Sequence, residues 1–329
     1  MSERWHSILT PSQRAGAIAM VMLHHDDPES VGIRRAAPGR LVLSDLLGID
    51  EGVVLGIDDH TRMLMPHGGI AIVRAISERL SDLGIPLNTQ PDPLRIYPEA
   101  QSEIEAWCLH ALSIAPSPMA VDVLLKHSQR WSVSGIETIQ QADAIDAIGP
   151  GALDRLLHPP SVVAVGRANV GKSSLINALV GQQVALVADV AGTTRDHVGV
   201  PVDLGGLVVR WIDTPGVDER IGDSDELAIA QSVLAQADLV VHCIDAINDP
   251  GVLDARLHDS IEPGIPVVRV GTRTDLGDHA CRVDVRVQLG EHGAGIPGLV
   301  SMLRDQLVPE TVLDDPRPWC FWGSLRSEP

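Results

Sequence analysis

Residues Gly166-Arg167-Ala168-Asn169-Val170-Gly171-Lys172-Ser173 fit the pattern G-x-x-x-x-G-K-[ST]. An apolar run at 161–165 precedes the octet, and a helical pattern at 174–179 follows it. This context constrains the fold more than any other feature: a strand must end, a glycine turn must follow and a helix must begin. Backbone N–H groups in such a loop converge on phosphate oxygens, and the helix N-terminus adds partial positive charge. Lys172 is placed to neutralise β- and γ-phosphate charge and Ser173 to ligate magnesium. Gly166, Asn169, Val170, Gly171 and Ser174 belong to the same turn. The chain has only two lysines, Lys126 and Lys172, so about 0.002 chance matches to the pattern are expected.

Three downstream segments bear on the same chemistry. Asp213-Thr214-Pro215-Gly216 closes the apolar run 208–212. Asp213 there is placed to help hold magnesium, and the Gly216 N–H to meet a γ-phosphate. Between that segment and the octet lies Ala188-Asp189-Val190-Ala191-Gly192-Thr193-Thr194-Arg195-Asp196. A threonine hydroxyl in this loop completes a magnesium shell only when a γ-phosphate is present, so the loop would order with triphosphate and relax after hydrolysis. After the run 266–270 comes Thr272-Arg273-Thr274-Asp275. The Asp275 carboxylate can accept from N1–H and the exocyclic amine of guanine, a donor pair that adenine lacks.

Strand-like runs at 207–212, 239–244 and 266–270, separated by helix-length stretches, predict a mainly parallel sheet with helices on both faces. Residues 159–309 are therefore expected to form an α/β nucleotide domain, opened by Pro159-Pro160. Upstream, 15–23 reads as a buried strand, 40–47 and 52–57 as two more, and 70–83 as a helix closed by Gly84 and Pro86. A small α/β unit over 1–95 is expected, then a helical segment over 96–158 packed by Trp107 and Trp131. An irregular tail is expected over 310–329. His24-His25-Asp26-Asp27 reads as a solvated turn before Pro28. Cys108, Cys243, Cys281 and Cys320 form no C-x-x-C pair and read as structural thiols.

Lys and Arg number 25 against 44 Asp and Glu, a net charge of −19 spread along the chain with no basic arm. That excludes a protein dedicated to coating nucleic acid, which needs clustered cations. No apolar run approaches the roughly 18–20 residues of a membrane helix, and the N-terminus lacks a signal pattern. A cytoplasmic protein with no membrane partner is expected.

These motifs resemble those of the TrmE/Era/EngA group of P-loop GTPases, and Val190-Ala191-Gly192-Thr193-Thr194-Arg195-Asp196 is most similar to the TrmE, or MnmE, type of tRNA modification GTPase. Thr10-Pro11 with Arg14-Ala15-Gly16-Ala17-Ile18-Ala19, and His67-Gly68-Gly69, resemble N-terminal segments of that family. The resemblance implies hydrolysis of GTP to GDP and phosphate, with Lys172 and Ser173 on phosphate and magnesium, Thr194 on the γ-sensing magnesium site, and Asp213 to Gly216 as a second switch. It implies potassium held by Asn169, Thr193 and carbonyls near Ala188 and Val190, adding positive charge as the transition state develops. The family's acid maps best to Asp225, with Asp223 and Glu226 competing. Val217, rather than a water-orienting glutamine, follows Gly216, so intrinsic hydrolysis is expected to be slow.

The departures from the family are specific. N-K-x-D becomes Thr272-Arg273-Thr274-Asp275, in which the Arg273 stem can still cover the base. S-A-K is replaced near Leu289-Gly290-Glu291, although Gly293-Ala294-Gly295-Ile296 is similar to the segment that follows it. The arginine of the family's folate pocket falls on Met22, and Cys320 in Trp319-Cys320-Phe321-Trp322 does not match the family's C-[IL]-G-K. The resemblance further implies a homodimer through the N-terminal or GTPase domain and a link to tRNA modification. Two alternatives stand beside it: a nucleotide-gated binding module with negligible hydrolysis, and an Era-like ribosome-assembly GTPase.

Overall fold

The computed structural model describes residues 4–10, 16–89, 92–142, 148, 151–182, 199–214, 216, 233–247, 259–274, 282–289 and 293–326. They group into two compact units, one from the first 110 residues with 137–139, the other from most of the remainder.

The first unit is built on β1 (Trp5–Ile8), β2 (Val21–His24), β3 (Leu41–Leu46), β4 (Asp50–Gly56) and β5 (Thr61–Met65). They form an antiparallel sheet in the order β1-β2-β5-β4-β3. Side chains alternate between its faces. Leu23, Val54 and Leu64 meet Val73, Ile76 and Leu80 of helix α1 (Ile70–Asp82) on one face. Trp5, Met22 and Met63 meet Ile96 on the other. The strand expected over 15–23 is confined to its last residues, because Ile18 and Met20 are exposed and only 21–24 find partners on both sides. His25 is buried rather than solvated, and its Nδ1 accepts from the Asp27 N–H at 3.0 Å. His24 lies in β2 and stacks on Trp5 with ring centroids 5.5 Å apart.

Helices α2 (Glu103–Ile114) and α3 (Pro118–Val133) follow. Trp107 and Trp131 are buried, as expected. The second unit contains a sheet of β6 (Ser161–Gly166), β7 (Val200–Asp203), β8 (Val208–Asp213), β9 (Leu239–Asp245), β10 (Val267–Thr272) and β11 (Val285–Arg286). Its order is β11-β10-β9-β6-β8-β7, parallel throughout except for β7 on the edge. β6 is buried along its whole length and β9 up to Asp245, the signature of central parallel strands covered on both faces. Leu175 and Leu179 of α4 (Lys172–Gln182) and Leu299, Leu303 and Leu307 of α5 (Ile296–Leu307) are buried. Val163, Val165, Ile212 and Val240 form a further core with Val233 and Leu234. β8 lies on one side of β6 and β9 on the other, so the chain order reverses there. Such a switch point opens a crevice beyond the carboxyl ends of the strands.

The first turn of α3 is fastened to the turn between β7 and β8. The Met119 N–H donates to Gly206 O at 2.9 Å, and the Val208 N–H to Ser117 Oγ at 3.0 Å. The segment after Pro309, expected to be irregular, holds short helices at Glu310–Leu313 and Trp322–Arg326 and buries Trp319, Phe321 and Trp322. Its aromatic rings supply the apolar area, and α3 supplies several of its polar partners. Arg130 Nη1 donates to Asp315 O at 2.5 Å and Arg317 O at 3.2 Å, and the Trp319 N–H donates to His127 Nδ1 at 2.9 Å. Burial, reinforced by the Arg130 charge, pushes the His127 imidazole down to about 4. Among the described residues, no helix is long and apolar enough to cross a membrane.

Candidate functional site

The glycine-rich octet leaves the end of β6 and turns into α4 within the crevice at the switch point. Its backbone takes a left-handed course at Asn169 (φ 61°) and Gly171 (φ 105°). Asn tolerates that region better than most side chains, and glycine enters it without a Cβ penalty. Lys172 is buried, and its Nζ donates to Gly166 O at 3.2 Å and Arg167 O at 3.1 Å. The ammonium therefore sits inside the curve of its own loop. Burial lowers its pKa from the ordinary lysine value, and the charge of Asp213 acts against that shift. Asn169, Ser173 and Ser174 are exposed, and Val170 is buried.

The end of β8 meets this loop. Ser173 Oγ donates to Asp213 Oδ2 at 2.7 Å. Thr214 turns inward, its Oγ1 donating to Ala164 O at 2.8 Å, so the chain after Asp213 is anchored on β6. Gly216 lies against the loop so closely that a Cβ would stand 2.6 Å from Ala168 Cα and 3.0 Å from Lys172 Nζ. Ser173 and Asp213 offer only oxygen atoms, the donor type that suits a hard, six-coordinate ion such as magnesium. Among the described residues, no group of three or more His, Cys, Asp or Glu comes together as a metal cluster.

The segment expected to recognise the base, Thr272-Arg273-Thr274-Asp275, is described as far as Thr274. Thr272 is fully buried, with Oγ1 2.5 Å from Val170 O and 3.3 Å from Ile244 O. Arg273 adopts φ 60°, and its Nη1 lies 3.3 Å from Asp245 Oδ2 at the end of β9. Asp245 also accepts from the Ile247 N–H at 3.0 Å. Sequence reasoning passed over Asp245. Its signal is an acid ending a parallel strand beside the strand that feeds the loop. Thr274 Oγ1 donates to Val287 O at 3.0 Å, which brings the 287–289 segment near the loop. Leu289 Cδ1 there is 3.0 Å from where a Gly171 Cβ would be.

The structure thus brings Gly166, Asn169, Val170, Gly171, Lys172, Ser173 and Ser174 together in the loop and its helix start. Asp213, Thr214 and Gly216 lie beside it, with Thr272 below and Arg273 adjoining. Ala188, Val190, Thr193, Thr194, Pro215, Asp225 and Asp275 lie outside the described residues.

Residues 161–273 match the family model described as 50S ribosome-binding GTPase. The chain is 31% identical over 251 residues to a tRNA modification GTPase MnmE of Janthinobacterium sp. (strain Marseille), covering 73% of this chain and 50% of that protein. It is 40% identical over 116 residues to the MnmE of Burkholderia mallei (strain SAVP1), covering 35% of this chain and 25% of that protein. The first of these matches means that the chain spans about half the length of such a relative. A crystal structure of Aquifex aeolicus Era bound to GDP·AlF4− is 26% identical with a TM-score of 0.36, covering 46% of this chain and 57% of that one.

Proposed function

We propose, from a chain that carries a P-loop GTPase domain and is related to the MnmE tRNA modification GTPases, that it binds GTP with magnesium and hydrolyses it to GDP and phosphate as a switch in the cytoplasm. The observation that carries this reading is the meeting of loop and strand end, with Ser173 Oγ 2.7 Å from Asp213 Oδ2 and Gly216 against Ala168 and Lys172. Amides of 166–173 would cradle the phosphates, with Lys172 holding the terminal oxygens. Ser173 and Asp213 would hold magnesium, which supplies charge neutralisation at those oxygens. Thr194 and Gly216 would report whether the γ-phosphate is attached.

Asn169, Thr193 and the carbonyls of Ala188 and Val190 would hold potassium, adding positive charge beside the leaving phosphate. Asp225 would supply the acid of the second switch. Pairing of two copies through residues 1–95 or the GTPase domain, and service to tRNA modification, complete the reading. The test is GTP turnover in potassium against sodium buffer at high protein concentration, with ATP as control. A potassium-specific rate supports the reading. No GTP turnover, or equal rates in both salts, counts against it. The inward-turned Thr272 favours a second reading, nucleotide-gated binding without hydrolysis. Multiple turnovers would reject it.

A further inference from the structure

β3 pairs with β4 and is the last strand on its side of the first unit's sheet. The Gly56 N–H donates to Arg40 O at 3.1 Å, and the next pair along is Leu41 opposite Leu55. Backbone groups alternate in direction along an antiparallel pair. Val42 and Ser44 therefore turn theirs to β4, while Leu41, Leu43 and Asp45 turn theirs outward. Asp45 O is taken by Ser44 Oγ at 2.8 Å, and Leu43 O receives Arg34 Nη1 at 3.3 Å in an exposed place. The Leu41 N–H and C=O and the Leu43 N–H face outward with no strand beside them among the described residues. Leu41 and Leu43 are also 63% and 57% exposed, and they continue a strip formed by Leu55 and Val53 opposite them. Edge strands are ordinarily guarded by charges on the strand or by a covering element. Here the charge lies beside the edge and has one sign. Residues 30–44 hold Arg34, Arg35 and Arg40, all exposed, and no acid, in a chain of net charge −19.

We propose that β3 is a docking edge for an extended acidic segment of a partner protein, which adds to the sheet as a further strand. Main-chain pairing supplies the affinity of such additions and alternate side chains the choice of partner. The incoming backbone takes the outward groups of Leu41 and Leu43, its apolar side chains cover both leucines, and its carboxylates meet the arginines. Arg34 leaves the Leu43 carbonyl for a carboxylate, the stronger acceptor. Antiparallel pairing, the pattern of this sheet, brings the C-terminal end of the partner segment beside Arg40. An RNA or a lipid headgroup would use the arginines but leave the outward backbone groups unpaired. The proposal is independent of the GTP-binding reading.

The experiment titrates the full chain into a fluorescent peptide of alternating valine and threonine that ends in glutamates. Micromolar binding is expected. The same peptide N-methylated at alternate amides cannot pair as a strand and is expected to bind at least about tenfold more weakly. Leu43→Pro removes the outward N–H while leaving the pairing with β4 intact, and should cost the unmodified peptide about as much. Arg34→Glu combined with Arg40→Glu should weaken the glutamate peptide roughly tenfold and strengthen a lysine-ended one. Should Leu43→Pro fail to fold, the methylated peptide puts the same question to wild type. Binding that survives methylation, equal binding of the lysine-ended peptide by wild type, or no binding at millimolar peptide overturns the proposal. Self-association that Leu43→Pro abolishes and the peptide does not compete assigns the edge to a second copy and overturns it too. Uptake of phosphatidylserine vesicles or an RNA hairpin in place of the peptide does the same.

Discussion

Replacing Gly216 with alanine presses the strand end that carries Asp213 against the glycine-rich loop. The added methyl would stand 2.6 Å from Ala168 Cα, 2.9 Å from Ala168 N and 3.0 Å from Lys172 Nζ. Two of those atoms are backbone, so a rotamer change cannot relieve the contact. Carbon atoms rest at about 3.5–4.0 Å, so the segments must part by roughly 1 Å. Overpacking of this kind costs about 1–3 kcal/mol. A stiffer unfolded chain offsets about 0.4–1 kcal/mol of that. The remainder, up to about 2.5 kcal/mol, falls on the state in which Gly216 touches the loop and Lys172 keeps its place. At 1.4 kcal/mol per decade, kcat/KM for GTP should fall by up to about 60-fold. Thermal melting should drop by only a few degrees. The assay is GTP turnover with magnesium and potassium, paired with a melting curve. Wild-type kcat/KM in Gly216→Ala would refute the close approach of the two segments.

Ser173→Ala removes the hydroxyl 2.7 Å from Asp213. The magnesium concentration for half-maximal GTP turnover should rise at least about tenfold, and an unchanged requirement would contradict the site. His127 falls from 6.5 in an unfolded chain to about 4 in the fold, so the unfolded state binds the proton first as pH drops. Stability is full above pH 6.5 and declines toward pH 4 by about 3 kcal/mol. Urea denaturation across that range should show the slope, and His127→Asn should flatten it. Identical slopes would contradict the assignment. Gly298 lies inside α5 with nothing within 4 Å of an added Cβ. Gly298→Ala should therefore stabilise the fold by about 0.5–1 kcal/mol, read as a higher melting temperature. A lower one would contradict the open space.

The loop at 166–173 is legible because its conformation is written in consecutive residues: glycines where the chain turns, Lys-Ser where the helix starts. Central strands are legible for a similar reason. Burial on both faces leaves continuous apolar runs, and β6, β8, β9 and β10 fall within about two residues of the runs at 161–165, 207–212, 239–244 and 266–270. Edge strands give weaker signals. β7 is four residues, V-P-V-D, and β11 only two. Polar residues at buried positions also mask the edge strand β1 and the central strand β5. Arg62 of β5 is buried because its guanidinium donates to Thr61 O at 2.9 Å and Asp59 O at 3.3 Å, partners presented by a folded turn. Contacts distant in sequence leave no local trace. Thr272 meets a carbonyl 102 positions earlier, and Trp319 needs His127 and Asp154 to make the stretch around Pro316 and Pro318 into part of a core.

The stitching of α3 to the β7–β8 turn has a mechanical outcome. β8 is a connecting rod: one end bears Asp213, and the other is bolted through Val208 and Gly206 to Ser117 and Met119. The far end of that helix grips the carbonyls of Asp315 and Arg317 and the amide of Trp319. One helix thus ties the strand that ends in Asp213 to the aromatic tail.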